Sequence, residues 1–131
     1  MSGDRRQRIS SGGPWEAAVG YSRAIVVGDT CWVAGTTDAG PDGRSQHPGD
    51  VGAQARAAFA IIERALGEGG FTLDDVVRTR MFVIDIADST AVSAAHGEVF
   101  RSTRPAATLV AVAALMDPSL LVEIEAEARR D

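Results

Sequence analysis

Three glutamates near the end of the chain are the residues whose type and spacing most directly suggest chemistry. Glu123, Glu125 and Glu127 alternate with small or apolar residues in the segment VEIEAEA, residues 122–128. Successive side chains of a β-strand point to opposite faces, so the pattern predicts a strand with three carboxylates on one face. Two interpretations stay open. The glutamates form the solvated face of a half-buried strand, or one of them works at a site.

Several other kinds of site are disfavoured by what the chain lacks. All thirteen basic residues are arginines, so neither a lysine Schiff base nor a Walker-type phosphate loop is available. His47 and His96 have no second histidine or cysteine at ligand spacing, which argues against a metal site. Cys31 is the only cysteine, lies in an apolar strand pattern and is interpreted as an inert buried thiol.

Length, charge and hydropathy limit the class of protein. A chain of 131 residues with 45% hydrophobic content is expected to form one domain, residues 1–131. A net charge of -5 disfavours a nucleic-acid partner, which a basic surface would attract. The N-terminal arginines precede no apolar stretch, and the longest apolar run, residues 106–116, is far short of the roughly 20 residues of a membrane helix. We therefore expect a cytoplasmic protein with no membrane partner.

The sequence of the first half of the chain predicts a hairpin followed by a helix. Two β-rich runs meet at Gly28-Asp29, which predicts a hairpin. Asp50 can cap a helix whose apolar residues follow the spacing of one helical face. Those residues are Val51, Ala55, Ala58, Phe59, Ile62, Ala65 and Leu66, and glycines at 67, 69 and 70 are expected to end the helix.

The second half continues this alternation of strands and helices. Residues 74–86 predict a long strand because β-branched and aromatic residues fill them, and residues 88–102 predict a helix capped by Asp88 or Ser89. Two strands close the chain, and residues 7–11 form a weak first strand. Two helices that cover one face of a single sheet define an α+β fold and leave the other face without cover. We therefore expect the chain to oligomerise.

Three segments resemble the RidA (YjgF-type, reactive intermediate deaminase) family, also called the L-PSP endoribonuclease family. They are GYSRAIVVGDTCWVAGTT at residues 20–37, the helix and strand at residues 50–88, and RPAATLVAVAALMDPSLLVEIEA at residues 104–126. The resemblance implies a chorismate-mutase-like α+β fold with about six strands in a mixed sheet. It also implies a homotrimer with small-molecule sites at the subunit interfaces. Members of the family hydrolyse enamines and imines to 2-oxo acids and ammonia, without a metal or an organic cofactor.

The resemblance also implies roles for particular residues. It places Glu123 where a glutamate positions the attacking water and Tyr21 where a tyrosine closes the cleft, and it places Gly35 at the end of the strand that borders the substrate. Trp15 follows a Gly-Pro pair, as the family's tyrosine does, but it lies six residues too early to keep the spacing to Gly35. Tyr21 is therefore the preferred residue.

One family position differs in this chain. The family's Pro-Ala-Arg-Ser/Thr is Pro-Ala-Ala-Thr at residues 105–108, so Ala107 stands where an arginine clamps the substrate carboxylate. Arg23 and Arg104 are candidate replacements, or else residues of surface or interface salt bridges. Activity on 2-aminoacrylate is therefore in doubt. Two functions stay open: a divergent enamine or imine hydrolase, and a noncatalytic trimer that binds a small ligand or a partner protein.

Overall fold

The structure, a computed structural model, describes residues 5–131 and is built on one six-stranded sheet. The strands are β1 Gln7–Ile9, β2 Ala24–Val27, β3 Thr30–Thr36, β4 Val76–Val83, β5 Ala106–Ala111 and β6 Val122–Arg129. Their order across the sheet is β1-β2-β3-β6-β4-β5. Neighbouring strands are antiparallel except β4 and β5, which are parallel. The predicted α+β class with a six-stranded mixed sheet is confirmed.

Within residues 5–131, three α-helices accompany the sheet: α1 Glu16–Val19, α2 Val51–Glu68 and α3 Ser89–Phe100. The Asp50 carboxylate accepts a hydrogen bond from the Ala53 amide at 3.0 Å, so the predicted cap of α2 is confirmed. Of the three glycines expected to end α2, Gly67 lies inside it, and the chain leaves the helix at Gly69 and at Gly70, whose φ is +83°. The sequence did not predict α1, because four residues are too few to show a helical period.

The hydrophobic core lies between α2, α3 and one face of the sheet. The alternation in β6 is confirmed, since its four inward residues are buried and its three glutamates, on the other face, are half-buried. The inward residues are Val122, Ile124, Ala126 and Ala128. Cys31 in β3 is a fully buried free thiol, and burial raises its pKa to about 11, so the predicted inert thiol is supported.

The sheet face that carries the three glutamates also bears large apolar side chains. Trp32 and Val110 are each 42% exposed on this face, and Phe82 is half-buried between Glu123 and Val110 in neighbouring strands. Both long helices pack on the opposite face. Within residues 5–131, none of the helices combines the length and apolar character that crossing a membrane requires.

Candidate functional site

An open cleft of about 420 Å³ brings together four of the residues singled out from the sequence. Tyr21, Arg23, Gly35 and Glu123 all line it. The walls come from the loop before α1, from α1 itself, from the end of β3 and from the start of β6. The chain thus assembles one site from segments about 100 residues apart.

Tyr21 reaches the cleft because α1 ends abruptly. Gly20 adopts a φ of +88°, a left-handed conformation that favours glycine, and its amide donates to the Glu16 carbonyl at 2.9 Å. The Tyr21 amide donates to the same carbonyl at 3.0 Å. The helix end therefore fixes the backbone from which the Tyr21 ring enters the cleft.

A β-bulge places Glu123 beside the backbone of β3. Val33 pairs with Ala126 but Thr36 pairs with Ile124, so β3 contains one residue more than β6 over this interval. A Cβ atom at Gly35 would lie 2.5 Å from Glu123 Oε2, which is too close for any side chain to be accommodated there without displacement. Gly35 is therefore the residue that makes room for the Glu123 carboxylate.

The surroundings of Glu123 favour its protonated form. Burial is the main cause that raises the pKa of this carboxyl, and the neighbouring charge of Glu125 raises it further. Arg23 opposes both effects. A carboxyl whose pKa is raised in this way can exchange protons closer to neutral pH than an ordinary glutamate.

Arg23 is buried and hydrogen-bonded in the wall of the cleft. Its Nη1 donates to the Gly35 carbonyl at 2.5 Å and to Thr36 Oγ1 at 3.0 Å, and its Nη2 donates to the Tyr21 hydroxyl at 3.1 Å. Its Nε donates to Ser11 Oγ at 3.3 Å. These bonds hold the bulge, Tyr21 and the N-terminal loop in fixed relation to one another.

Glu16 completes this arrangement from α1. Its Oε2 lies 3.7 Å from Arg23 Nε, and both side chains are only 7% exposed. Burial tends to raise the Glu16 pKa, but hydrogen bonds from the Ser11 hydroxyl, the Gly13 amide and neighbouring groups outweigh it and lower the pKa overall. Glu16 is thus a buried anion paired with Arg23.

Arg104 and Ala107 lie elsewhere in the chain's own fold. Arg104 is exposed, with a φ of +51°, just before β5. Ala107 is exposed in β5 and pairs with Thr79, so β4 separates it from β6. The structure brings Tyr21, Arg23, Gly35 and Glu123 together and leaves Arg104 and Ala107 at the far edge of the sheet.

Sequence reasoning did not assign two residues of the site. Glu16 lies in a segment without strand or long-helix periodicity, and its role depends on contacts with Ser10, Ser11 and Arg23. Trp15 was set aside in favour of Tyr21, yet both side chains line the cleft. In the part of the chain that the structure describes, histidine, cysteine, aspartate and glutamate form no group of three that could hold a metal ion.

The fold and the site together define a chorismate-mutase-like α+β protein with a glutamate in a cleft beside a bulged strand. The chain belongs to the Endoribonuclease L-PSP family, whose model matches residues 13–130. The resemblance to RidA (YjgF-type) proteins is thereby confirmed.

Individual relatives agree with this assignment. The crystal structure of Rv2704 from Mycobacterium tuberculosis, described as a member of the YjgF/YER057c/UK114 family, is similar with a TM-score of 0.86 and 47% identity over 95% of this chain and 99% of that one. SCO2049 of Streptomyces coelicolor is 38% identical over 99% of this chain and 96% of its own. A protein of Capra hircus named 2-iminobutanoate/2-iminopropanoate deaminase is 34% identical over 92% of this chain and 88% of its own.

Proposed function

We propose that the chain is a divergent enamine/imine hydrolase in which Glu123 and a water molecule act at a cleft between subunits of a homotrimer. The observation that carries the proposal is the Glu123 carboxylate, which lies against the Gly35 backbone in an open cleft and has a raised pKa. The naming of a relative as an imine deaminase supports the same reaction class.

The reaction needs one group that moves protons and one that orients the substrate. The ionised Glu123 accepts a proton from water while the water oxygen bonds to the imine carbon. The protonated Glu123 then returns the proton to nitrogen, which gives a carbinolamine. Glu123 next transfers the proton of the carbinolamine hydroxyl to the same nitrogen, the carbon–nitrogen bond breaks as the carbon–oxygen double bond forms, and ammonia is released together with a carbonyl compound. An enamine first takes a proton on carbon to become the imine.

Tyr21 is suited to donate a hydrogen bond to the bound molecule. Its hydroxyl oxygen accepts from Arg23 Nη2 at 3.1 Å, so its own hydrogen remains available for another partner. In the proposed mechanism this hydrogen is directed to the substrate, and Arg23 acts by positioning Tyr21 and the Gly35 carbonyl.

The proposed homotrimer accounts for the face of the sheet opposite the helices. Trp32 and Val110 are large apolar residues, each 42% exposed there. Apolar patches of this kind on a soluble protein mark interaction surfaces. Packing three such faces together would remove these side chains from water.

Activity on 2-aminoacrylate is expected to be low. This substrate carries a carboxylate, and Ala107 offers neither charge nor hydrogen-bond donors at the position of the family's clamp. Arg104, the other candidate, is exposed and lies outside the cleft of its own chain.

The second candidate function is a noncatalytic trimer that binds a small ligand or a partner protein. The apolar side chains of Trp15 and Met116 in the cleft wall favour it, because they provide binding surface without taking part in proton transfer. Under this function Glu123 would serve only to bind the ligand.

Release of ammonia from enamines and imines distinguishes the two functions. We expect the protein to accelerate release from at least one imine, and Glu123→Gln to lose that activity, because an amide cannot accept the proton of water. Glu127→Gln is the matched control, since it makes the same change on the same strand face, outside the cleft lining. Equal losses in both variants, or ligand binding with no imine hydrolysed, would reject the hydrolase.

A further inference from the structure

The charges around the cleft point to a particular kind of substrate. Arg23 is the one basic residue among the described residues that line the cleft, and Glu16 lies 3.7 Å from it. The hydrogen-bond donors of Arg23 are directed largely to Ser11, Tyr21, Gly35 and Thr36. Its charge is therefore balanced, and most of its donors are occupied, before any substrate binds.

The acidic side of the cleft is less well balanced. Glu123 and Glu125 both line it. Arg80 Nη1 lies 3.5 Å from Glu125 Oε1 and 3.4 Å from Glu127 Oε1, and Arg6, Arg8 and Arg80 line a neighbouring depression together with these two glutamates. Among the described residues that line the cleft itself, two carboxylates stand against one arginine, which is already paired with Glu16, so the excess of acidic groups disfavours an incoming carboxylate. The same excess attracts a protonated imine.

Apolar side chains form the remaining wall. Trp15, Val19, Ile61 and Met116 line the cleft beside the polar groups. Val19 is 67% and Met116 is 68% exposed, although both are large apolar residues. Their position at the cleft gives an apolar substituent of a bound molecule a surface to cover.

We propose that the cleft accepts imines that carry an apolar substituent and no carboxylate, with the imine nitrogen neutral or protonated. This inference rests on the proposed hydrolase function and specifies its substrate. In the reaction, water adds its oxygen to the imine carbon, the carbon–nitrogen bond breaks, and the nitrogen leaves as ammonia, or as ammonium from a protonated imine. The organic product is an aldehyde or ketone.

A matched pair of imines tests the effect of the carboxylate. A flavin amine oxidase acting on phenylethylamine and an amino-acid oxidase acting on phenylalanine generate imines with the same benzyl group, and only the second imine carries a carboxylate. The lag between hydrogen peroxide formation and ammonia release measures the lifetime of each imine. We expect the protein to accelerate hydrolysis of the carboxylate-free imine at least about tenfold more than hydrolysis of the carboxylate imine. A tenfold ratio of rates corresponds to about 1.4 kcal/mol.

Two variants then test separately the effect of the acidic charge and the effect of the apolar wall on substrate preference. Glu125→Gln removes one acidic charge and should reduce the discrimination against the carboxylate imine, while Glu127→Gln should change it less, because Glu127 lies outside the cleft lining. Met116→Ser alters an exposed side chain and should reduce the preference for a benzyl over a methyl substituent.

The possible results separate this inference from the function on which it rests. Acceleration of both imines to the same extent, or a preference for the carboxylate imine, would overturn the substrate assignment and leave the hydrolase intact. Acceleration of neither imine, nor of any other enamine or imine, would reject the hydrolase itself. Unchanged discrimination in Glu125→Gln would show that charge is not its cause.

Discussion

Glu123 and Glu125 lie on the same face of β6, two residues apart, and both line the cleft. Burial raises the pKa of Glu123, and the Glu125 charge adds to this effect. The three glutamates thus differ in their surroundings although the sequence pattern treats them alike. The three atoms nearest to a Cβ built at Gly35 in the bulge all belong to Glu123.

The pH dependence of hydrolysis should report the state of Glu123. If ionised Glu123 accepts the proton of water, the rate falls as the pH drops through its pKa, which burial and the charge of Glu125 raise from its ordinary value. Glu125→Gln removes a charge that raises this pKa, so the acidic limb of a kcat/KM profile should move to lower pH. In Glu127→Gln the limb should stay in place. A limb that moves to higher pH in Glu125→Gln would contradict the assignment of Glu123 as the base.

At the scale of elements, the bulge in β3 is what the site depends on most. At Gly35 the bulge directs the backbone carbonyl towards Arg23, and the absence of a side chain leaves space for the Glu123 carboxylate. An ordinary antiparallel register would continue the alternation of side chains and offer neither feature.

Gly35→Ala should impair function more than folding. Its Cβ would meet Glu123 Oε2 at 2.5 Å and Cδ at 2.9 Å, and these atoms belong to the end of a side chain that can rotate away. We expect kcat/KM to fall by about 100-fold, the loss typical of a misplaced catalytic group, with a small change in the melting temperature.

Gly67→Ala is the control, because a Cβ there meets nothing within 4 Å and the position lies inside α2. It should stabilise the fold by about 0.5–1 kcal/mol and leave kcat/KM unchanged. A Gly35→Ala variant with full activity would show that the close approach of Glu123 is not required.

The sequence predicted the strands and the two long helices because their side chains alternate or recur with a period that a core imposes. Strand β6 is the clearest example of such alternation, because every second residue is buried: Val122, Ile124, Ala126 and Ala128. The sequence predicted the position of Glu123 only through the family resemblance. It could not predict the Glu16–Arg23 pair or the effect of the bulge on Gly35, because these depend on contacts between segments that are distant in sequence or lack periodicity.

At the scale of the whole molecule, the exposed apolar residues of the sheet predict an assembly. Sedimentation equilibrium should give a mass three times that of the 13.7 kDa chain. Trp32→Glu and Val110→Glu should shift the protein toward monomer, since each places a charge on the proposed interface. Ile86→Glu is the control, because Ile86 is 57% exposed but lies in the short helical turn Ile86–Asp88 after β4 and not on this face of the sheet. A stable monomer at micromolar concentration would contradict the homotrimer.

Cys31 lies fully buried in β3, between β2 and β6, and no other cysteine occurs in the chain. A thiol reagent can reach its sulfur only when the centre of the sheet separates from α2 or from a neighbouring strand. The rate of alkylation of the native protein is therefore a direct measure of how often this opening occurs. The chain carries its own single-site probe of conformational fluctuation, with no label to be engineered.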